Sequence, residues 1–105
     1  MFLKLSTNNE LTFEDRNNFR AFKLVVEGDR NNLEQVRNAV SGKADISDGE
    51  TAWIFENALR GWPGVGQDAQ WQQNFAVMIE KARPHGWIDD ARKAIKAHIE
   101  WLAPR

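Results

Sequence analysis

The chain contains no cysteine. Disulfides, thiol nucleophiles and thiolate metal sites are therefore excluded, and the composition suits a reducing compartment. Long apolar runs are missing too. No segment approaches the roughly 18 apolar residues of a membrane span, and the opening MFLKLSTNNE lacks the longer apolar stretch of a secretory signal. The expectation is a cytoplasmic protein without membrane association. Strong charge of one sign is also lacking: the net value is −1, which disfavours a general nucleic-acid binder. The distribution is less even than the total. Residues 1–80 hold 8 basic and 12 acidic side chains, whereas residues 81–105 hold 6 and 3, so the C-terminal end is basic.

Catalytic signatures are equally sparse. There is no Gly-x-Ser-x-Gly elbow, and the only serines are Ser6, Ser41 and Ser47. Ser47, His98 and Asp90 assemble a triad on paper, with nothing in the sequence to bring them together. The adjacent pair Asp89-Asp90 points its carboxylates about 100° apart if helical, which is no dyad. The metal-ligand candidates are His85, Asp89, Asp90 and His98. They lack the i,i+4 spacing of a His-Glu-x-x-His helix, and Asp90 and His98 would lie roughly 12 Å apart along a helix axis. A faint calcium-loop pattern from Asp45 fails because Glu50 stands where the tight turn needs glycine. No cofactor and no metal are expected.

At 105 residues with 42% hydrophobic content, one globular domain with one modest core is expected, residues 1–18 being its loosest part. The clearest unit is Phe22 to Val40. Phe22, Leu24 and Val26 alternate as on a strand, Gly28-Asp29 break the run, and Leu33, Val36 and Val40 form a helical stripe that Gly42 ends. Asn31 and Glu34 match a capping box. From Ile46 to Trp62 two patterns compete. The reading adopted is a strand to Phe55, pairing back across Asp48-Gly49 to Ala44–Ser47, then a short helix to Gly61. A right-handed crossover would set the Phe22 and Trp53 strands parallel.

Two C-terminal helices complete the expected fold. Asp68 caps the first, whose stripe is Trp71, Phe75, Met78, Ile79 and Ala82. Pro84 and His85-Gly86 make a corner, and a second helix runs from about Ile88 to Trp101, with Asp89–Lys93 and Lys96–Glu100 as i,i+4 pairs. The predicted class is thus α+β: a two- to three-stranded sheet with a β-α-β start, packed against a C-terminal helical hairpin.

Tryptophan is the one excess. Of Trp53, Trp62, Trp71, Trp87 and Trp101, Trp71 reads as core, whereas Trp62 and Trp87 flank glycine-proline corners. Trp87, His98 and Trp101 would form an apolar band beside Arg92 and Lys96. The interaction candidates are accordingly Trp62, His85, Trp87, Arg92, Lys96, His98 and Trp101. The first functional expectation is a non-catalytic interaction or regulatory module that binds a protein partner or a second copy of itself. The alternative is a small-molecule binder or enzyme, with a pocket between sheet and helices edged by Trp62, His85, Trp87 and His98. Nucleic-acid binding through Lys81, Arg83, Arg92, Lys93 and Lys96 ranks last.

Overall fold

The computed structural model describes residues 1–102. Seven strands form one curled, mixed sheet: β1 (Phe2–Leu5), β2 (Leu11–Glu14), β3 (Lys23–Glu27), β4 (Ala44–Ile46), β5 (Thr51–Phe55), β6 (Ile88–Asp89) and β7 (Ala94–Leu102). Three α-helices accompany them: α1 (Leu33–Ala39), α2 (Glu56–Arg60) and α3 (Ala69–Ala82). The sheet runs β2-β1-β3-β7-β5-β4, with β6 added beside β7. The β1-β3-β7 run is parallel, and β2, β5 and β6 lie antiparallel to their neighbours.

The predicted small sheet roofed by a helical hairpin is therefore incorrect, and the error lies mainly in residues 88–102. That segment is a turn and the central strand of the sheet, not a helix. Its spacing satisfies two periods at once, because Ile95 and Ile99 share a face whether the chain coils or extends. Two features decide for the strand. Asp89 turns the chain by accepting from the amides of Ala91 and Arg92, and Lys93 follows in the left-handed region at φ 51°, which breaks any helix there. Beyond it, Ile95, Ala97 and Ile99 are buried and Lys96 and His98 exposed, the alternation of a half-covered strand. The expected i,i+4 pairs are replaced accordingly: Asp89 binds Arg92, and Glu100 binds Lys23 across the sheet.

Register places the apolar side chains on one face. Leu3 faces Leu24, Leu24 faces Ile99, Ala97 faces Ala52, and Ile54 lies between Ile95 and Ala44. All are buried in one core with Val36 of α1, Leu59 of α2, and Trp71, Phe75 and Ile79 of α3. The other face is largely polar, with rows such as Lys4-Val25-Glu100 and Asp45-Trp53-Lys96. Val25 is nevertheless buried there.

Several local expectations hold. The strand Thr51–Phe55 pairs back on Ala44–Ile46 and runs into α2, and Gly42 ends the α1 turn at φ 85°. The Asp68 carboxylate caps α3 by accepting from the Trp71 amide at 3.0 Å. Others change. β3 and β5 are not parallel neighbours, because β7 lies between them and runs antiparallel to β5. The Asn31 capping box does not form; Asp29 caps the preceding 3-10 turn instead. Phe2, Leu3 and Leu5, which as a sequence suit a short edge strand, form an interior one, and β2 takes the edge.

Candidate functional site

The central strand determines where the chain opens. One edge of β7 is fully occupied by β5 and the turn before it, down to the Ile99 amide, which donates to the Glu50 carbonyl at 2.9 Å. The other edge is shared. β3 covers His98 to Leu102 and β6 covers Ala94 and Ile95. Between them neither strand reaches Lys96 and Ala97 on this edge; the backbone groups of Ala97 turn to β5, and the Lys96 amide donates to the Trp87 carbonyl at 2.8 Å. Two residues of strand leave a split roughly 7 Å long.

A cleft of about 960 Å³ lies at this split. It takes in Ile95 and Ala97 as well as Lys96 and His98. Neighbouring strand residues point to opposite faces, so the cleft meets β7 along its edge. Helix α3 forms one wall through Asn74, Val77, Met78 and Lys81, which are spaced i, i+3, i+4 and i+7 and so share a face. That face adjoins the Trp71-Phe75-Ile79 stripe buried in the core. The segment before β3 supplies Phe19, Arg20, Ala21 and Phe22, and Phe19 leans on the Trp71 ring at 5.9 Å. The corner after α3 supplies His85 and Trp87, stacked at 4.4 Å between ring centroids. Gly86 between them sits at φ 77°, a conformation glycine adopts without a Cβ penalty. Glu50 and Thr51 close the end nearest β5.

Two properties characterise this cleft. Among the described residues the exposed large apolar side chains are Val77 (47%), Trp87 (47%) and Leu102 (43%), and the first two line it. Its charges are also unbalanced. Arg20, Lys81 and Lys96 border it without a carboxylate partner among the described residues, and Lys4, Arg16, Lys43 and Lys93 lack one elsewhere. The one acid present, Glu50, already faces Arg30 at 3.5 Å. An apolar recess bordered by cations is suited to an anion with an apolar body.

Of the seven residues singled out from the sequence, the fold brings four together here: His85, Trp87, Lys96 and His98. The other three lie elsewhere. Trp62 packs edge-on to Phe13 at 5.8 Å with Lys43 over its ring. Trp101 donates its indole N–H to the Gly49 carbonyl at 2.6 Å. Arg92 is a clamp: it binds Asp89 at 2.7 Å and Asp45 at 2.5 Å and lies over the Trp53 ring. Its guanidinium, hydrogen-bonded to Asp89, holds that carboxyl below its usual range. Asp90 of the paper triad is engaged by Arg83, which also binds Glu80. Among the described residues no three His, Asp or Glu side chains converge as a metal site would require.

Sequence reasoning missed Phe19, Arg20, Phe22, Asn74 and Val77 as site residues, and placed Lys81 only in a basic patch. Asn74, Val77 and Lys81 carried a legible signal, a second stripe on α3 with an apolar residue between polar ones. Arg20 and Phe22 carried none, because they reach the cleft only through the pairing of β3 with β7. The chain matches no protein-family model, no curated protein and no solved structure.

Proposed function

We propose that the chain is a small-molecule-binding protein whose cleft, between α3 and the split edge of β7, receives an anion with an apolar body. The observation that carries this reading is the coincidence of exposed Val77 and Trp87 with three unpaired cations, Arg20, Lys81 and Lys96, around one recess. Its volume lies in the range of small-molecule sites, roughly 300–1,000 Å³. The cations attract the charged group, and the apolar wall contributes by removing ligand surface from water. No reaction is assigned to the cleft.

Thermal shift with matched acids and amides tests the reading. Aryl and medium-chain carboxylates raise the melting temperature, whereas the corresponding uncharged amides do not. A ligand at a hundred times its Kd contributes about 2.7 kcal/mol, or roughly 12 °C for a domain of this length. The double variant Lys81→Gln/Lys96→Gln loses most of that rise, and added salt weakens it in the wild type. Equal responses to acid and amide, or none to either, would refute the proposal.

The protein-partner reading takes second place. It rests on the apolar band of Trp87, His98 and Trp101 along a helix from about Ile88 to Trp101, and that segment is a turn and a strand. Light scattering separates the two: a dimer that Trp87→Ala dissociates favours the partner, and a monomer that responds to acids favours the ligand.

A further inference from the structure

We infer, resting on the binding reading above, that the ligand carries a flat aromatic ring that stacks on Trp87, with its carboxylate or phosphate held by Arg20, Lys81 and Lys96. The argument comes from how the five tryptophans are used. Trp71 and Trp101 donate their indole N–H groups to the carbonyls of Arg16 and Gly49. Trp62 and Trp53 lie beneath the cations of Lys43 and Arg92. Among the described residues Trp87 alone has neither kind of partner, and it is the most exposed of the five.

Its one ring contact is His85, stacked within 19° of parallel. That contact takes one face of the indole, and the residue, which lines the cleft, remains 47% exposed. The platform is also held in place. Gly86 folds residues 85 and 87 side by side, and the Trp87 carbonyl is pinned to the Lys96 amide at 2.8 Å. A ring fixed before the ligand arrives loses little freedom on binding. Offset stacking rewards a flat π-system beyond the area it covers, whereas a saturated body of equal size gains area alone. The cations then orient the ligand, and Arg20 offers a planar guanidinium suited to two-point contact with a carboxylate or phosphate.

Isothermal titration with four probes of one size tests this: 2-naphthoate, 2-naphthyl phosphate, decalin-2-carboxylate and uncharged 2-naphthamide. At least one naphthyl anion binds roughly tenfold tighter than the saturated acid, and the preferred headgroup distinguishes carboxylate from phosphate ligands. Trp87→Ala removes the advantage, and Trp87→Phe retains part of it. Lys81→Gln/Lys96→Gln weakens the naphthyl and decalin acids alike. Should Trp87→Ala fail to fold, the wild-type probe comparison and Trp87→Phe still decide. Equal affinity for the naphthyl and decalin acids would overturn the aromatic inference while leaving the anion cleft standing. Absence of binding by every acid would remove the cleft reading and this inference together. Tight binding of a single-stranded oligonucleotide with no response to the naphthyl anions would overturn it in favour of nucleic acid.

Discussion

Replacing Phe75 by alanine tests the packing on which the cleft depends. Phe75 is fully buried, stacked on Trp71 at 4.8 Å between centroids, with the Arg60 guanidinium 5.0 Å from its ring. Arg60 is in turn fixed by Glu56 and Gln72, so the ring joins α3 to α2. Truncating a buried phenylalanine costs about 3–5 kcal/mol, made up of lost transfer energy and the cavity left behind. Unfolding entropy for a domain of this length is roughly 0.22 kcal/mol per degree, so a loss of about 4 kcal/mol lowers the melting temperature by about 18 °C. Phe75→Leu, which fills more of the space but gives up the ring stack, costs about 1–2 kcal/mol. The control is Val77→Ala, two positions on and therefore about 200° around the helix. It is half exposed, and its cost stays within about 0.5 kcal/mol. Calorimetry on the three variants, with urea unfolding at 25 °C, gives the comparison. A loss below about 1 kcal/mol for Phe75→Ala, or a larger one for Val77→Ala, would mean that α3 presents a different face to the sheet and that the cleft wall is misassigned.

The remaining predictions concern the turns and the charged sheet face. Gly86→Ala places a Cβ in open space at φ 77°, so only left-handed strain of about 1–2 kcal/mol appears, together with a loosened His85–Trp87 stack visible as a change in tryptophan fluorescence. Gly64→Ala, at φ 90°, sets its Cβ 2.7 Å from Arg16 Nη1; it costs more, because Arg16 must move off the Pro63 carbonyl, and a melt showing it milder than Gly86→Ala would contradict that. The hydrogen bond from Lys23 holds the Glu100 carboxyl below its ordinary value of 4.5. Its contribution to stability is therefore complete above about pH 4.5 and lost as pH falls through the lower folded value. In urea unfolding the gap between wild type and Glu100→Gln narrows on acidification through that window, and a gap independent of pH would refute the assignment.

How far the sequence discloses this fold depends on whether a signal is local. Asp68 with the Trp71-Phe75-Ile79 stripe needs only helical geometry, and α3 stands where the spacing puts it. The β4–β5 hairpin and α2 follow from Asp48-Gly49 and the β-rich TAWIF run in the same way. β7 was misread because alanine and lysine favour helices and Ile95 and Ile99 fit either period. Ala97 is the discriminating residue. Coiled, it would lie about 200° from Ile95; extended, it shares the Ile95 face, where it is buried against Ala52. Strand identity is settled there by the slot between β3 and β5, which is tertiary and leaves no local mark. The cleft inherits that difficulty. His85 and Trp87 belong to the expected corner, Lys96 and His98 to the expected helix after it, and they meet because the turn and strand found there keep them adjacent. Arg20 and Phe22 join them from more than 60 residues away in sequence.

The arrangement also separates the residues that hold the fold from those that line the cleft. α3 buries Trp71, Phe75 and Ile79 and turns Asn74, Val77 and Lys81 to the recess. On β7, Ile95, Ala97 and Ile99 enter the core while Lys96 and His98 remain outside it. Substitutions at the outward positions can alter what the cleft accepts without touching the core stripe one or two residues away. The exposed Val77 and Trp87 lie where β6 gives way to β3 along β7, beside Arg20, Lys81 and Lys96. Exposed apolar surface carries a cost in a monomer when it is contiguous. Val77, Trp87 and three cations border one recess, while Arg83 and Arg92 are tied to acids nearby, and this grouping supports the anion site proposed above.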